Sequence, residues 1–244
     1  MKLCTVGTGK TLVAEACASS LVNDEILIDC GMGVFKSFVK NGIDFTKIRT
    51  ILITHLHADH FYDLPAFATY YRNYPSNDPL DIYLPEDGIE AFHLIMKYAM
   101  NLDDDYDEWM PKNIFLHEYK DGDGFNFDNV HVSARLVDHG PMKPAFGFIL
   151  ENDGKKIGFS GDTKPCNEID TIVEESDVIV IDTSVIDRGI DAHMGVDDIY
   201  DYCKRYPGKR FFATHMEKES RERMKREKAF ANLVVPNDGE EFII

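Results

Sequence analysis

The segment Thr54-His55-Leu56-His57-Ala58-Asp59-His60 places four side chains of metal-ligand type within six consecutive positions. Neutral imidazole and carboxylate are the groups that hold zinc and comparable divalent ions. His55 and His57 are two residues apart, so in extended backbone both rings fall on one side. Asp59 and His60 follow where a strand would turn toward a helix, and one short loop could then present donors to two neighbouring ions. An isolated histidine pair would carry no such argument; the dense His-x-His-x-Asp-His pattern does. Two dications held close together by an acidic bridge lower the pKa of bound water by several units. A bridging hydroxide is then a nucleophile at neutral pH, and the same ions can take charge from a phosphoryl oxygen. The chemistry this implies is hydrolysis without a protein nucleophile.

Such donors need strand ends to aim them. "IRTILIT" is a short continuous apolar run that reads as a buried strand ending at His55. Apolar alternation and β-branched runs predict further strands near 2–6, 17–22, 25–30, 81–85, 112–119, 129–137, 145–151, 155–160, 177–182 and 210–215, with a final strand at the C-terminal end. Helices are predicted near 34–42, closed by Gly42, and at 64–73, 87–100, 166–175, 196–206 and 217–230. Meandering strands interspersed with helices point to an α/β (α+β) chain with two sheets and helices outside, rather than to a regular doubly wound fold. Ligand-type residues recur at the C-terminal ends of predicted strands: Asp29, His55, His139, Asp162, Asp182 and His215. No Pro/Gly/Ser-rich linker divides the chain, so residues 1–244 are expected to form a single domain.

The net charge of −17 repels polyphosphate backbones and removes the diffuse attraction on which nucleic-acid binding relies. The basic stretch "KESRERMKREK" interleaves glutamates at helical spacing and reads as a solvated helix. Five widely spaced cysteines without a CxxC pair argue against a disulfide framework and a structural zinc knot. With no secretory h-region and no membrane-length apolar run, a soluble, cytoplasmic protein is expected. "VGTGKT" imitates the tail of a phosphate-binding loop, but Cys4 stands where that loop needs glycine. The acidic run at 103–108 lacks the glycine of a calcium loop and reads as solvated loop.

"THLHADH" resembles the HxHxDH signature of the metallo-β-lactamase superfamily. "VGTG", "IDCGMG", "VDHG", "FSGDT", "DAHMGVDD" and "ATHM" follow in the order of its ribonuclease Z-like branch, so the resemblance spans nearly the whole chain. It implies a four-layer αββα sandwich with two divalent ions. His55, His57 and His139 would hold one, Asp59, His60 and His215 the other, and Asp162 would bridge them. Zinc is the first choice, and manganese and iron also suit the donors. Asp59 would additionally orient the attacking water. The histidine between the last two metal motifs, His193, would protonate the leaving oxygen or contact the phosphate. Asp29, Asp182 and Thr54 are candidates to fix imidazole tautomers, while His93, His117 and His131 lie outside every motif.

The transfer-RNA-processing members carry a long arm between the motifs of His139 and Asp162, and 22 residues here leave no room for it. The cysteine-rich zinc site of small cyclic-phosphodiesterase members has no counterpart in the spacing of Cys4, Cys17 and Cys30. The expectation is therefore a binuclear phosphodiesterase of the ribonuclease Z-like type, acting on a small-molecule or nucleotide phosphodiester. The alternatives are a transfer-RNA 3′-end endoribonuclease, a thioester, lactone or β-lactam hydrolase, and a non-catalytic ligand sensor. No membrane partner is expected, and a homodimer is expected by analogy alone.

Overall fold

Short runs rich in valine, isoleucine and phenylalanine form the strands, and their alternation decides which layer each side chain enters. The computed structural model describes residues 1–73, 79–100 and 104–244. In chain order the first strands are β1 (Lys2–Gly7), β2 (Ser19–Val22), β3 (Ile26–Ile28), β4 (Thr50–Leu52), β5 (Leu80–Leu84), β6 (Ile114–Glu118) and β7 (Gly124–Phe127). They continue as β8 (Val130–Leu136), β9 (Phe146–Asn152), β10 (Lys155–Phe159), β11 (Val178–Asp182), β12 (Arg210–Thr214), β13 (Leu233–Val234) and β14 (Glu240–Ile243). One sheet has the order β14-β1-β2-β3-β4-β5-β6, the other β13-β12-β11-β10-β9-β8-β7.

The helices are α1 (Val34–Asn41), α2 (Ala58–Phe61), α3 (Leu64–Tyr71), α4 (Gly88–Ile95), α5 (Asp104–Asn113), α6 (Asn167–Glu175), α7 (Val196–Arg205) and α8 (Lys218–Glu227). In β3, Ile26 and Ile28 enter the layer between the sheets, whereas Leu27 joins Val34, Phe38, Phe67 and Phe92 on the helix side. In β11, Val178 and Val180 fill the inter-sheet layer, and Ile179 and Ile181 pack with Ile169, Ile172 and Ile199. Burial on both faces explains why these strands read as continuous apolar runs. The result is the expected sandwich of helix, sheet, sheet and helix. No helix among the described residues is long and apolar enough to cross a membrane.

Strand direction sets the site. β3, β4 and β5 are parallel, so Asp29 and His55 leave their sheet at one rim. β10, β11 and β12 are parallel, and β8 shares their direction through the antiparallel β9. His139, Asp162, Asp182 and His215 therefore gather at one rim of the second sheet.

Some local expectations differ from the structure. Asp103 lies outside the described residues, but from Asp104 the acidic run is helical, not loop; carboxylates near a helix N-terminus are favoured by its dipole. The strand predicted from 112 begins at Ile114, because α5 extends to Asn113. β7 was hidden by the turn-forming residues around it. Gly9, in the false phosphate-loop motif, bridges to both Cys17 and Met216.

Phe148 is fully buried between the sheets and packs against Tyr119 with the rings tilted and their centroids 5.5 Å apart. Phe148→Ala is expected to cost about 3–5 kcal/mol, the usual penalty for a large aromatic removed from a packed core. Urea unfolding of the metal-free chain would measure it, and a loss below about 1 kcal/mol would contradict this packing.

Candidate metal centre

The first rim is organised by Asp29, a buried carboxylate held at a left-handed φ of 60°. Thr54 N–H donates to Asp29 Oδ1 at 2.7 Å, and the Thr54 hydroxyl donates to Oδ2 at 2.9 Å. His60 Nδ1 donates to the same Oδ2 at 2.8 Å. His55 Nδ1 lies 3.0 Å from Thr54 Oγ1; since that hydroxyl already gives its proton to Asp29, the ring must be the donor. One carboxylate thus fixes two tautomers, His60 directly and His55 through a hydroxyl, leaving both Nε2 atoms bare.

The second rim repeats this arrangement. Asp182 Oδ2 accepts from His193 Nδ1 at 2.9 Å. Its Oδ1 accepts the Ser184 hydroxyl at 2.9 Å, and Ser184 Oγ faces His215 Nδ1 at 2.7 Å. His139 is set separately, its Nδ1 donating to Ala192 O at 2.9 Å.

The bare nitrogens converge. His57 Nδ1 is 3.1 Å from both His55 Nε2 and His139 Nε2. Asp162 Oδ2 lies 3.2 Å from His60 Nε2, 3.3 Å from His215 Nε2, 3.8 Å from His55 Nε2 and 3.9 Å from His139 Nε2. Asp59 Oδ2 is 3.2 Å from His215 Nε2. Two donor groups result, His55 with His57 and His139, and Asp59 with His60 and His215, each with ligand atoms within 4.8 Å of one another. His60 Nε2 is buried without a hydrogen-bond partner. Lone pairs facing each other at this range need a cation between them, and a nitrogen and oxygen set without thiolate fits a divalent ion of zinc type. All seven residues expected to ligate metal are brought together here. His193 joins them, its ring stacked 5.2 Å from that of His215 and edge-on to that of His139 at 4.9 Å. His117 pairs instead with Asp81 and His131 with Asn126, and His93 is exposed on α4, all away from the rim.

Backbone packing fixes each rim, and Phe146 N–H donates to Thr54 O at 3.1 Å to join the two. A side chain at Gly31 would meet Asp59 O at 1.7 Å, so the "IDCGMG" turn lies directly against the metal loop. Cys30 N–H donates to His60 O at 2.9 Å across the same contact. Gly161, next to Asp162, has φ of 57° and sits against Phe146 O, which a Cβ would strike at 2.2 Å. Ser184 was not foreseen; its only signal was a hydroxyl two residues after Asp182, the spacing of a side-chain-to-backbone turn.

Charge is compensated inside the cluster. Burial pushes His55 well below its ordinary value. Burial would also depress His60, but Asp162 and Asp29 outweigh it and hold that ring well above. For His215 burial is likewise outweighed, by Asp162, Asp182 and Asp59, raising it to about 9. Asp162 is held well below the usual carboxylate range, burial being overcome by His215 and His60. In a chain without cation, His60 and His215 thus carry protons that an incoming ion must displace. The raised value of His215 means its proton is fully present below the ordinary histidine range of about 6.5 and lost as pH rises through about 9. Zinc binding near pH 7.5 is expected to release protons, and affinity to rise with pH toward 9. Calorimetry in buffers of different ionisation enthalpy would measure this; buffer-independent heats would contradict it.

Comparison with known proteins agrees with this geometry. Residues 1–238 match the family described as Anti-Pycsar protein Apyc1. A Ribonuclease Z from Mycolicibacterium gilvum (strain PYR-GCK) is 30% identical over 213 residues, covering 81% of this chain and 73% of that protein. The metallo-β-lactamase fold protein YhfI from Bacillus subtilis superposes with a TM-score of 0.79 at 15% identity, over 99% of both chains. A diphosphatase from the PhnP family gives 0.76 at 17% identity, over 100% of this chain and 97% of that one. The two structural likenesses speak for the fold.

Proposed function

The chain belongs to the family described as Anti-Pycsar protein Apyc1, in the ribonuclease Z-like branch of the metallo-β-lactamase superfamily, and from that premise we propose that this metal-dependent hydrolase is a binuclear phosphodiesterase. We read the whole chain as one domain. His55, His57 and His139 would hold one ion and Asp59, His60 and His215 the other, with Asp162 available to both. Zinc fits the donors first, with manganese and iron behind it. When bound, the ions supply an activated water as nucleophile and take up charge on the phosphoryl oxygens. The observation that carries this reading is the position of Asp162 Oδ2, within 3.9 Å of four imidazoles drawn from both donor groups.

The protein's own residues divide the remaining work. Asp59 orients the attacking water from beside His215. His193, its Nδ1 proton committed to the buried Asp182, keeps its ring fixed over both donor groups while remaining 18% exposed. That posture suits donating a proton from Nε2 to the departing oxygen.

A small phosphodiester is the favoured substrate class. The segment between His139 and Asp162 is a β9–β10 hairpin that closes at Asn152 and Lys155, with no arm to grip RNA. The acidic surface disfavours a polyanion further.

Protein loaded with zinc or manganese is expected to turn over bis(p-nitrophenyl) phosphate and 2′,3′-cyclic nucleotides, but not precursor transfer RNA. Asp59→Ala is expected to lose at least ~100-fold in kcat. Absence of phosphodiester turnover above that control would sink the reading. His193→Ala is expected to lose about 10²–10⁴-fold in kcat on cyclic nucleotides, whose alkoxide needs protonation, and far less on the nitrophenyl ester, whose leaving group does not. Equal losses on both would assign His193 to phosphate contact instead.

A further inference from the structure

Asp59 has a neighbour that no metal motif contains. The Thr11 hydroxyl donates to Asp59 Oδ2 at 3.0 Å, the same oxygen that faces His215 Nε2. Thr11 sits on the exposed tip of the loop between β1 and β2. An ordinary surface threonine would exchange such a bond with water at little cost. This loop, however, is fastened at its base and along its inner edge.

Along its inner edge, Met216 N–H donates to Thr8 O at 3.1 Å and Lys10 N–H donates to Met216 O at 3.3 Å. The loop is thus fastened to the residue that follows His215. At its base, Asp238 accepts Thr8 N–H at 3.0 Å, the Thr8 hydroxyl at 2.7 Å and Ala16 N–H at 2.8 Å, closing both ends with one carboxylate. Behind these lies Arg221, a buried guanidinium on α8. It donates to Thr8 Oγ1 at 2.6 Å and to Pro236 O at 2.8 Å, and pairs with Glu15 at 3.4 Å. Burying an arginine is costly unless its donors are satisfied. Here they are spent on holding a surface loop whose tip touches Asp59.

We propose that Thr11 is a positioning residue for Asp59: its hydroxyl holds the carboxylate against His215, and the Arg221–Thr8–Asp238 clamp sets where that hydroxyl stands. The inference rests on the binuclear reading of the site. A free aspartate side chain rotates about two bonds. Fixing it in advance removes an ordering cost from capture of the ion shared by Asp59, His60 and His215, while the ion among His55, His57 and His139 is untouched. Outer partners of metal ligands typically change affinity or activity by about 10–100-fold.

The test is calorimetric titration of the chelator-treated chain with zinc, comparing it with Thr11→Val and Thr11→Ser. Thr11→Val is expected to keep two-ion stoichiometry and the melting temperature of the metal-free chain, but to bind one of the two ions, that of Asp59, His60 and His215, at least about tenfold less tightly. Thr11→Ser, which retains the hydroxyl, is expected to restore the unaltered value. In turnover, Thr11→Val is expected to lower kcat with KM little changed. Unaltered affinity for both ions in Thr11→Val, or a Thr11→Ser defect as large as that of Thr11→Val, overturns the proposal. The titration needs no substrate, so it judges Thr11 even if the phosphodiesterase assay fails.

Discussion

The constraint on which the site depends is the burial of negative charge. Asp29, Asp162 and Asp182 are all almost wholly inaccessible to water. A carboxylate taken from water costs several kcal/mol unless donors replace its hydration. The fold meets this cost twice in the same way, with a carboxylate at each sheet rim bonding one imidazole directly and a second through a hydroxyl. Asp29 takes His60 and, through Thr54, His55; Asp182 takes His193 and, through Ser184, His215. Satisfying the buried charges and choosing the histidine tautomers are therefore one act. Each imidazole that gives its Nδ1 proton outward turns a bare Nε2 inward, which is what a cation requires.

The third carboxylate closes the system. Asp162 has no hydroxyl relay, and its neighbours are the inward-facing nitrogens themselves. Without a cation these nitrogens must share protons with it, which explains why His55 and His60 are driven in opposite directions although their ring centroids are 4.1 Å apart. Two like charges at that distance in a dry site repel strongly. The cluster is consequently tuned to hold positive charge, whether as protons or as metal ions, and the Phe146 N–H bond to Thr54 O at 3.1 Å ties one rim to the other.

Much of this was legible in the sequence because its signals are local. His55, His57, Asp59 and His60 are contiguous, and the strands that aim them are continuous apolar runs. The distant members, His139, Asp162 and His215, could be joined to them only through a resemblance of motif order, since no spacing rule links residues 156 positions apart. What stayed hidden was of two kinds. Ser184 and Thr11 act through single hydroxyls, and a serine or threonine in a loop carries no signature until its partner is placed. β7 and the helical start at Asp104 were masked by residues that favour turns and loops locally.

The contrast between the surface and the centre bears on substrate size. Around the centre two dications would outweigh the charges of Asp59 and Asp162, so the local field attracts an anion although the whole chain carries −17. In physiological salt, charges are screened beyond about 8 Å. A small phosphodiester that fits within such a radius meets mainly the positive centre. A polyanion laid across the surface would meet the chain's net negative charge, and its affinity would have to come from a basic arm or stripe. The basic helix α8 commits Arg221 to the loop clamp and Arg223 to Asp197 and Glu227. Its cations are largely spent within the protein, and with the proposed ions bound the field at the rim would select for size as well as for charge.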